Sequence, residues 1–255
     1  MTGGSVPGPV GASDSHPDRR SRTEDAPCRS DRPVEVRRPH ATRNPGRVLG
    51  GRERAAAVAR AAAATTPHAR HVLDVGCGAG NYTLKLLESL PGLDVTLIDL
   101  SRPMLDRAVE RIGRATTGRI TPIQGDVRAV ELGEGRFDVV LAAAVLHHLR
   151  ADGEWRAVFA AFHRALRPGG SVWVFDLVES AIPAVQRLVW ERYGEYLSGL
   201  KDDAYRDHVF AYVEREDTPR PLTFQLDLLR EVGFAQTEVL HKNVCFAAFG
   251  AVKGY

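Results

Sequence analysis

Residues 72–80, Val-Leu-Asp-Val-Gly-Cys-Gly-Ala-Gly, constrain the fold more than any other stretch of the chain. A short apolar run ending in glycines reads as a buried parallel strand running into a tight turn. Glycine at alternate positions lets the backbone take positive φ and lets a ligand approach without meeting a Cβ. Residues 80–90 follow as a helix, with Leu84, Leu87 and Leu90 on one face. A strand, a glycine turn and a helix in this order belong to an open α/β sheet, whose ligands sit at the carboxyl ends of the strands. A glycine turn alone could still be purely structural.

The alternation continues along the chain. Strands are expected at 71–75, 94–99, 120–124, 137–142 and 171–176. Ser101 is a candidate N-cap, with Pro103 in the first turn, for a helix running to about Ile112. Trp155, Val158, Phe159, Phe162 and Leu166 recur at helical spacing, and Arg167-Pro168-Gly169-Gly170 ends that helix. Residues 177–221 break the rhythm: they lack a strand pattern and are rich in aromatic residues. A helix at 222–232 and strands at 236–241 and 244–252 close the chain, the last two joined at Lys242-Asn243 as a hairpin. The expected fold is therefore α/β: a doubly wound, mostly parallel, seven-stranded sheet with helices on both faces, an antiparallel C-terminal hairpin and a helical insertion after strand 5.

Charge divides the chain in two. Lys and Arg number 34 against 32 Asp and Glu, and residues 1–45 hold 8 Arg against 6 acids, so the whole excess lies there. Those 45 residues contain no Leu, Ile, Phe, Trp or Tyr. They cannot bury enough apolar surface to offset ordering entropy and are expected to be a disordered tail. Residues 46–255 form the expected domain, opened by an Ala-rich helix at 55–64. Its neutral balance and scarcity of Lys argue against a nucleic-acid surface. No apolar run reaches membrane-spanning length and no secretory h-region is visible, so a cytoplasmic protein is expected. Cys28, Cys77 and Cys245 are too few and too scattered for a disulfide framework, and no metal site is expected.

Asp99 ends the second strand, 25 residues after Asp74. An acid there can accept both ribose hydroxyls of a nucleoside. NAD-binding folds share this feature, but the turn here is D-V-G-C-G-A-G rather than G-x-G-x-x-G. An acid ahead of the glycines would repel a pyrophosphate and suits an ammonium group. At this point the chain resembles the class I S-adenosylmethionine (SAM)-dependent methyltransferases. VLDVGCGAGNYT (72–83), LIDLS (97–101), GDV (125–127), FDVVLAAAVLHHL (137–149) and LRPGGSVWVFDL (166–177) look like the family's motifs, in order.

The resemblance implies SAM as cofactor. It implies that Asp74 holds the methionine amino group and that Gly76 and Gly78 pass beneath the methionine and ribose. Asp99 would bind the ribose hydroxyls, with Leu100 and Met104 near the adenine. Asp126 would cap the adenine amine, the Val127 amide would serve a ring nitrogen, and Ala142 would border the methionine. Met104 at such a spacing is more often plain core, and Asp126 alone could be a turn or cap residue.

The acceptor side is less defined. A hydroxyl or phenol acceptor usually needs a base, and His147 and His148 follow the fourth strand at the edge of the site. Packing roles for both stay open, as does which of them points inward. Tyr82, Tyr193, Tyr196, His208 and Arg220 are the candidate substrate-pocket residues. The insertion at 177–221 reads as a lid over a small-molecule acceptor, with a homodimer interface or a second core as alternatives. The resulting expectation is methyl transfer to N, O or C of a small molecule in biosynthetic or secondary metabolism. Alternatives are an RNA-nucleoside-modifying relative, a carboxy-SAM-type relative suggested by the ending Cys245-Phe246…Phe249-Gly250, and a SAM-binding partner without activity.

Overall fold

The computed structural model describes residues 51–255. The expectation of a disordered tail at 1–45, and Cys28 within it, lie outside the described residues. In chain order the elements are α1 (Gly51–Thr65), β1 (His71–Val75), α2 (Asn81–Leu87), β2 (Asp94–Asp99), α3 (Arg102–Gly113), β3 (Ile120–Gln124) and β4 (Phe137–Ala143). They continue with a 3₁₀ turn (Leu146–His148), α4 (Asp152–Ala165), β5 (Leu166–Leu177), α5 (Pro183–Leu200), α6 (Asp203–Glu216), α7 (Leu222–Glu231), β6 (Phe234–Asn243) and β7 (Phe246–Lys253).

The strands form one seven-stranded sheet in the order β3-β2-β1-β4-β5-β7-β6. β1 to β5 pair in parallel, and β7 runs antiparallel between β5 and β6. The order reverses between β1 and β4, so the crevice at their carboxyl ends is the topological switch point, where such sheets bind ligands. Successive strand residues feed opposite cores. Val72, Leu97, Trp173 and Phe175 face α1, α2 and α3. Leu73, Val75, Val140 and Val174 face α4 and α7. Trp155, Phe159 and Phe162 are fully buried on that second side, where truncating such a ring to Ala costs about 3–5 kcal/mol.

Several boundaries differ from the sequence expectation. β5 begins at Leu166, because the chain turns extended there (φ −76°, ψ 142°) and Leu166 pairs with Phe137 before the run at Ser171. The hairpin turn sits at Val244-Cys245 rather than at Lys242-Asn243, which pair with β7. Ser101 occupies the N-cap of α3, but its side chain makes no capping bond. The insertion is helical as expected, as α5 and α6. Only Gly194 and Leu197 of α5 and no residue of α6 are buried. Tyr193 and Trp190 pack on Phe210, and Tyr193 also meets Phe246 of β7 edge-on at 5.7 Å. No described helix is long and apolar enough to cross a membrane.

Candidate functional site

The glycine turn after β1 is shaped by its neighbours. Gly76 has φ +63°, and a Cβ on it would lie 2.6 Å from Val145, so no other residue fits. Gly78 has φ +50°, and a Cβ there would point into open space. Gly78 therefore leaves room for something other than protein.

Asp99 organises the floor. Its Oδ2 accepts the Gly78 N–H and its Oδ1 the Ser101 N–H, each at 2.8 Å. A carboxylate has about four acceptor sites, so each oxygen keeps one for a ligand donor. Val75, Gly76, Gly78, Asp99, Leu100, Asp126, Val127, Ala144, Val145 and His148 are among the residues lining a cavity of about 430 Å³ at the switch point. Ala144 at its rim holds φ +54°, a strained conformation for a residue with a Cβ.

Asp74 lies behind the turn and is only 1% exposed. The Thr83 hydroxyl donates to its Oδ2 at 2.7 Å. Burial, the dominant influence, pushes its carboxyl up to about 7 against the lowering effect of Thr83. A buried carboxylate with one side-chain donor suits a cationic ligand group.

A second cluster beside the cavity gathers residues from three elements. His147 is buried, and its Nδ1 is bonded to Asp176 Oδ1 at the end of β5. Asp176 Oδ2 also accepts the backbone N–H of Leu146 at 2.7 Å. His148, its ring centroid 4.2 Å from that of His147, lines the cavity and is half exposed. Asp217, leaving α6, lies 3.0 Å from His148 Nδ1 and 3.7 Å from His147 Nε2. The Thr218 N–H donates to the His147 carbonyl and fastens the insertion to this loop. Burial lowers the tendency of His147 to protonate, but the Asp176 carboxylate outweighs it, so its pKa stands above the ordinary value. Beyond them, Tyr82 stacks on Phe175 and Phe175 on Phe246. The Arg54 guanidinium of α1 lies 4.9 Å over Phe175, and its buried Nε has no hydrogen-bond partner.

The structure therefore brings Gly76, Gly78, Asp99, Leu100, Asp126, Val127 and His148 around one cavity, with Asp74 and His147 directly behind. Other candidates stand elsewhere, and Asp126 is already engaged. Ala142 is buried in the core, and Ala143, Ala144 and Val145 border the cavity in its place, because Ala142 is still paired with Val75 and Val174 inside the sheet. Met104 is 47% exposed on α3; Leu105, Ala108 and Ile112 supply that helix's core face, so Met104 neither lines the cavity nor fills core. The Asp126 carboxylate is hydrogen-bonded to the Arg128 guanidinium, which holds it below the usual carboxylate range. Arg220 pairs with Asp152 at 2.6 Å, away from the cavity. Tyr193 anchors the insertion, Tyr196 stacks on it 42% exposed, and His208 is exposed on α6. Cys77 and Cys245 are buried, and burial pushes both thiols up.

Asp176, Asp217 and Arg54 were not singled out from sequence. Asp176 carried a usable signal, an acid ending an otherwise apolar strand, the same pattern that marks Asp74 and Asp99. Asp217 and Arg54 carried none.

A family model described as a methyltransferase domain matches residues 72–170. A demethylmenaquinone methyltransferase of Lactococcus lactis subsp. lactis is 27% identical over 171 residues, 66% of either chain. A carboxy-S-adenosyl-L-methionine synthase of Chromohalobacter salexigens is 30% identical over 190 residues, 72% of this chain and 68% of the relative. Of solved structures, a Burkholderia thailandensis 1,6-didemethyltoxoflavin-N1-methyltransferase, with 1,6-didemethyltoxoflavin and S-adenosylhomocysteine bound, superposes with TM-score 0.56 at 20% identity over 80% of each chain, a likeness of fold. The chain spans about half to two thirds of the length of several curated relatives it matches.

Proposed function

Because the chain belongs to the class I SAM-dependent methyltransferase family, whose cofactor is SAM, we propose that residues 46–255 transfer a methyl group to a nucleophilic N, O or C of a small-molecule acceptor. The carrying observation is the Asp99–Gly78 cradle: a carboxylate with both oxygens anchored and still able to accept, beside a backbone that a Cβ would obstruct. SAM, when bound, supplies a methyl group already activated on a sulfonium. The protein has to bind it, align an acceptor and exclude water.

In this reading Asp99 holds the ribose hydroxyls, Gly76 and Gly78 form the floor, and Asp74 receives the methionine ammonium. Leu100 and Val127 flank the adenine. Asp126 serves the adenine amine through whatever acceptor capacity Arg128 leaves it. His148, His147 and the aromatic wall of Tyr82 and Tyr193 stand on the acceptor side. Arg54, with its unpartnered Nε, is positioned for a carboxylate. The insertion acts as the lid, consistent with how little of α5 and α6 is buried. The setting is cytoplasmic biosynthetic or secondary metabolism.

The test is turnover. Wild-type protein incubated with SAM and an extract should yield S-adenosylhomocysteine and a product heavier than its precursor by one methylene. His148→Ala should lose most of that turnover while SAM affinity stays within about threefold, since a general base contributes 10²–10⁴-fold to rate rather than to cofactor binding. Turnover unchanged in His148→Ala removes it from the acceptor chemistry. The 30% identity to a carboxy-SAM synthase favours a second reading, in which the cofactor itself is modified. A carboxylated cofactor in the same mass spectra, with no methylated acceptor, would select it.

A further inference from the structure

We propose that His147, His148 and Asp217 form a binding site for a divalent transition-metal ion, of the zinc(II) or iron(II) kind, between the loop after β4 and the end of α6. Each residue offers one ligand atom, and these atoms all lie within 4.8 Å of one another. His148 Nδ1 and His147 Nε2 converge on the same Asp217 oxygen, at 3.0 and 3.7 Å. Zinc–ligand distances of 2.0–2.2 Å place tetrahedral neighbours about 3.3–3.5 Å apart. The two distances to Asp217 bracket that value.

The hydrogen bonds point the same way. His147 Nδ1 is engaged by Asp176, and with its proton donated there, Nε2 presents a lone pair. That lone pair faces Asp217 Oδ1, another acceptor. The Asp217 side chain is 4% exposed, and its Oδ1 has no hydrogen-bond partner, because His148 Nδ1, although near, lies outside hydrogen-bond geometry. In that tautomer the buried carboxylate oxygen and the imidazole lone pair face each other, an arrangement satisfied by a metal cation between them or, without one, by a proton on Nε2. The Arg150 guanidinium is spent on the Thr218 hydroxyl and the Arg215 carbonyl.

Asp176 supplies a further element of a metal site. A ligating histidine almost always gives its second ring nitrogen to a carboxylate, carbonyl or water, which fixes its orientation. His147 has that arrangement, and Asp176 is itself fully buried and held by the Leu146 N–H. Two imidazoles and one carboxylate are the donor set that borderline metals such as zinc(II) and iron(II) take, leaving coordination positions open. Since His148 also lines the cavity, an open position there would suit an oxygen-bearing acceptor. The site itself does not depend on methyl transfer, and its test uses neither SAM turnover nor an acceptor.

The experiment is titration of the full chain, stripped with chelator, with cobalt(II), read by visible d–d absorption, followed by displacement with zinc(II). The expected result is one equivalent of cobalt(II), displaced by zinc(II), with affinity falling at least tenfold in His147→Ala, His148→Ala and Asp217→Asn. Asp176→Asn should lose about 10–100-fold, the usual loss when the group orienting a ligand is removed. The half-exposed His148 ring can be removed without opening the core, so that variant stays informative if the buried ones fail to fold. Circular dichroism and SAM calorimetry on each variant verify the fold. No cobalt(II) bound by wild type at about 1 mM would overturn the proposal, as would binding that survives intact in His148→Ala and Asp217→Asn, which would assign the ion to other groups.

Discussion

Cofactor affinity should depend on pH through Asp74. This carboxylate is buried behind the glycine turn with one side-chain donor, and burial raises its pKa to about 7. In the free protein it is therefore mostly protonated at pH 6 and mostly ionised at pH 7.5. A ligand ammonium prefers the ionised form and should lower the pKa of the complex by about 1–3 units. Binding then expels a proton at low pH, and each pH unit below 7 costs up to tenfold, or about 1.4 kcal/mol. From pH 7.5 to pH 6 the SAM dissociation constant should rise about tenfold. Above about pH 8 an α-amine loses its own proton and the gain should stop. Stability of the free protein runs the opposite way. With the folded pKa above the unfolded value, the native state holds the extra proton between about pH 4 and 7. Stability is thus full below that window and declines as pH rises through it. Asp74→Asn should accordingly melt higher than wild type at pH 8 and bind SAM more weakly. Calorimetry in two buffers of different ionisation enthalpy measures affinity and proton release together. An affinity flat from pH 6 to 7.5 with no proton released would refute the assignment of Asp74 to the ammonium.

Two further substitutions probe the turns. Gly78→Ala should fold with a loss of about 1 kcal/mol, the cost of a Cβ at positive φ, because nothing in the protein meets the added methyl. The same methyl enters the cavity floor, so SAM affinity should fall at least tenfold by calorimetry; unchanged affinity would place the ligand elsewhere. Val244 is a β-branched residue at φ +53° in the β6–β7 turn. Val244→Asn should stabilise the protein by about 1 kcal/mol, seen as a rise of a few degrees in melting temperature.

Much of the sheet could be read from sequence because its signals are local. β1, β2 and β3 fall where the apolar runs and glycines put them. The hairpin turn at Val244-Cys245 was missed because Lys242-Asn243 has better turn chemistry; register with β7 overrides it. Part of the cavity lining was legible for the same reason as the sheet: Gly76 and Gly78 follow β1 and Asp99 ends β2, with Asp74 near the end of β1. The histidine–carboxylate cluster beside it was not. His147, Asp176 and Asp217 come from a 3₁₀ turn, a strand end and a helix exit, and only the tertiary fold joins them. The exposure of Met104 and the clipping of Arg220 to Asp152 depend likewise on packing that no spacing encodes.

The central claim is that the switch-point cavity binds SAM through Asp99. Calorimetric titration of wild type and Asp99→Ala with SAM tests it most directly. Wild type should bind one equivalent, and the variant should lose about tenfold or more, the worth of a charge-assisted hydrogen bond of about 1.5–3 kcal/mol. SAM failing to bind wild type at millimolar concentration, or binding Asp99→Ala equally well, would contradict it.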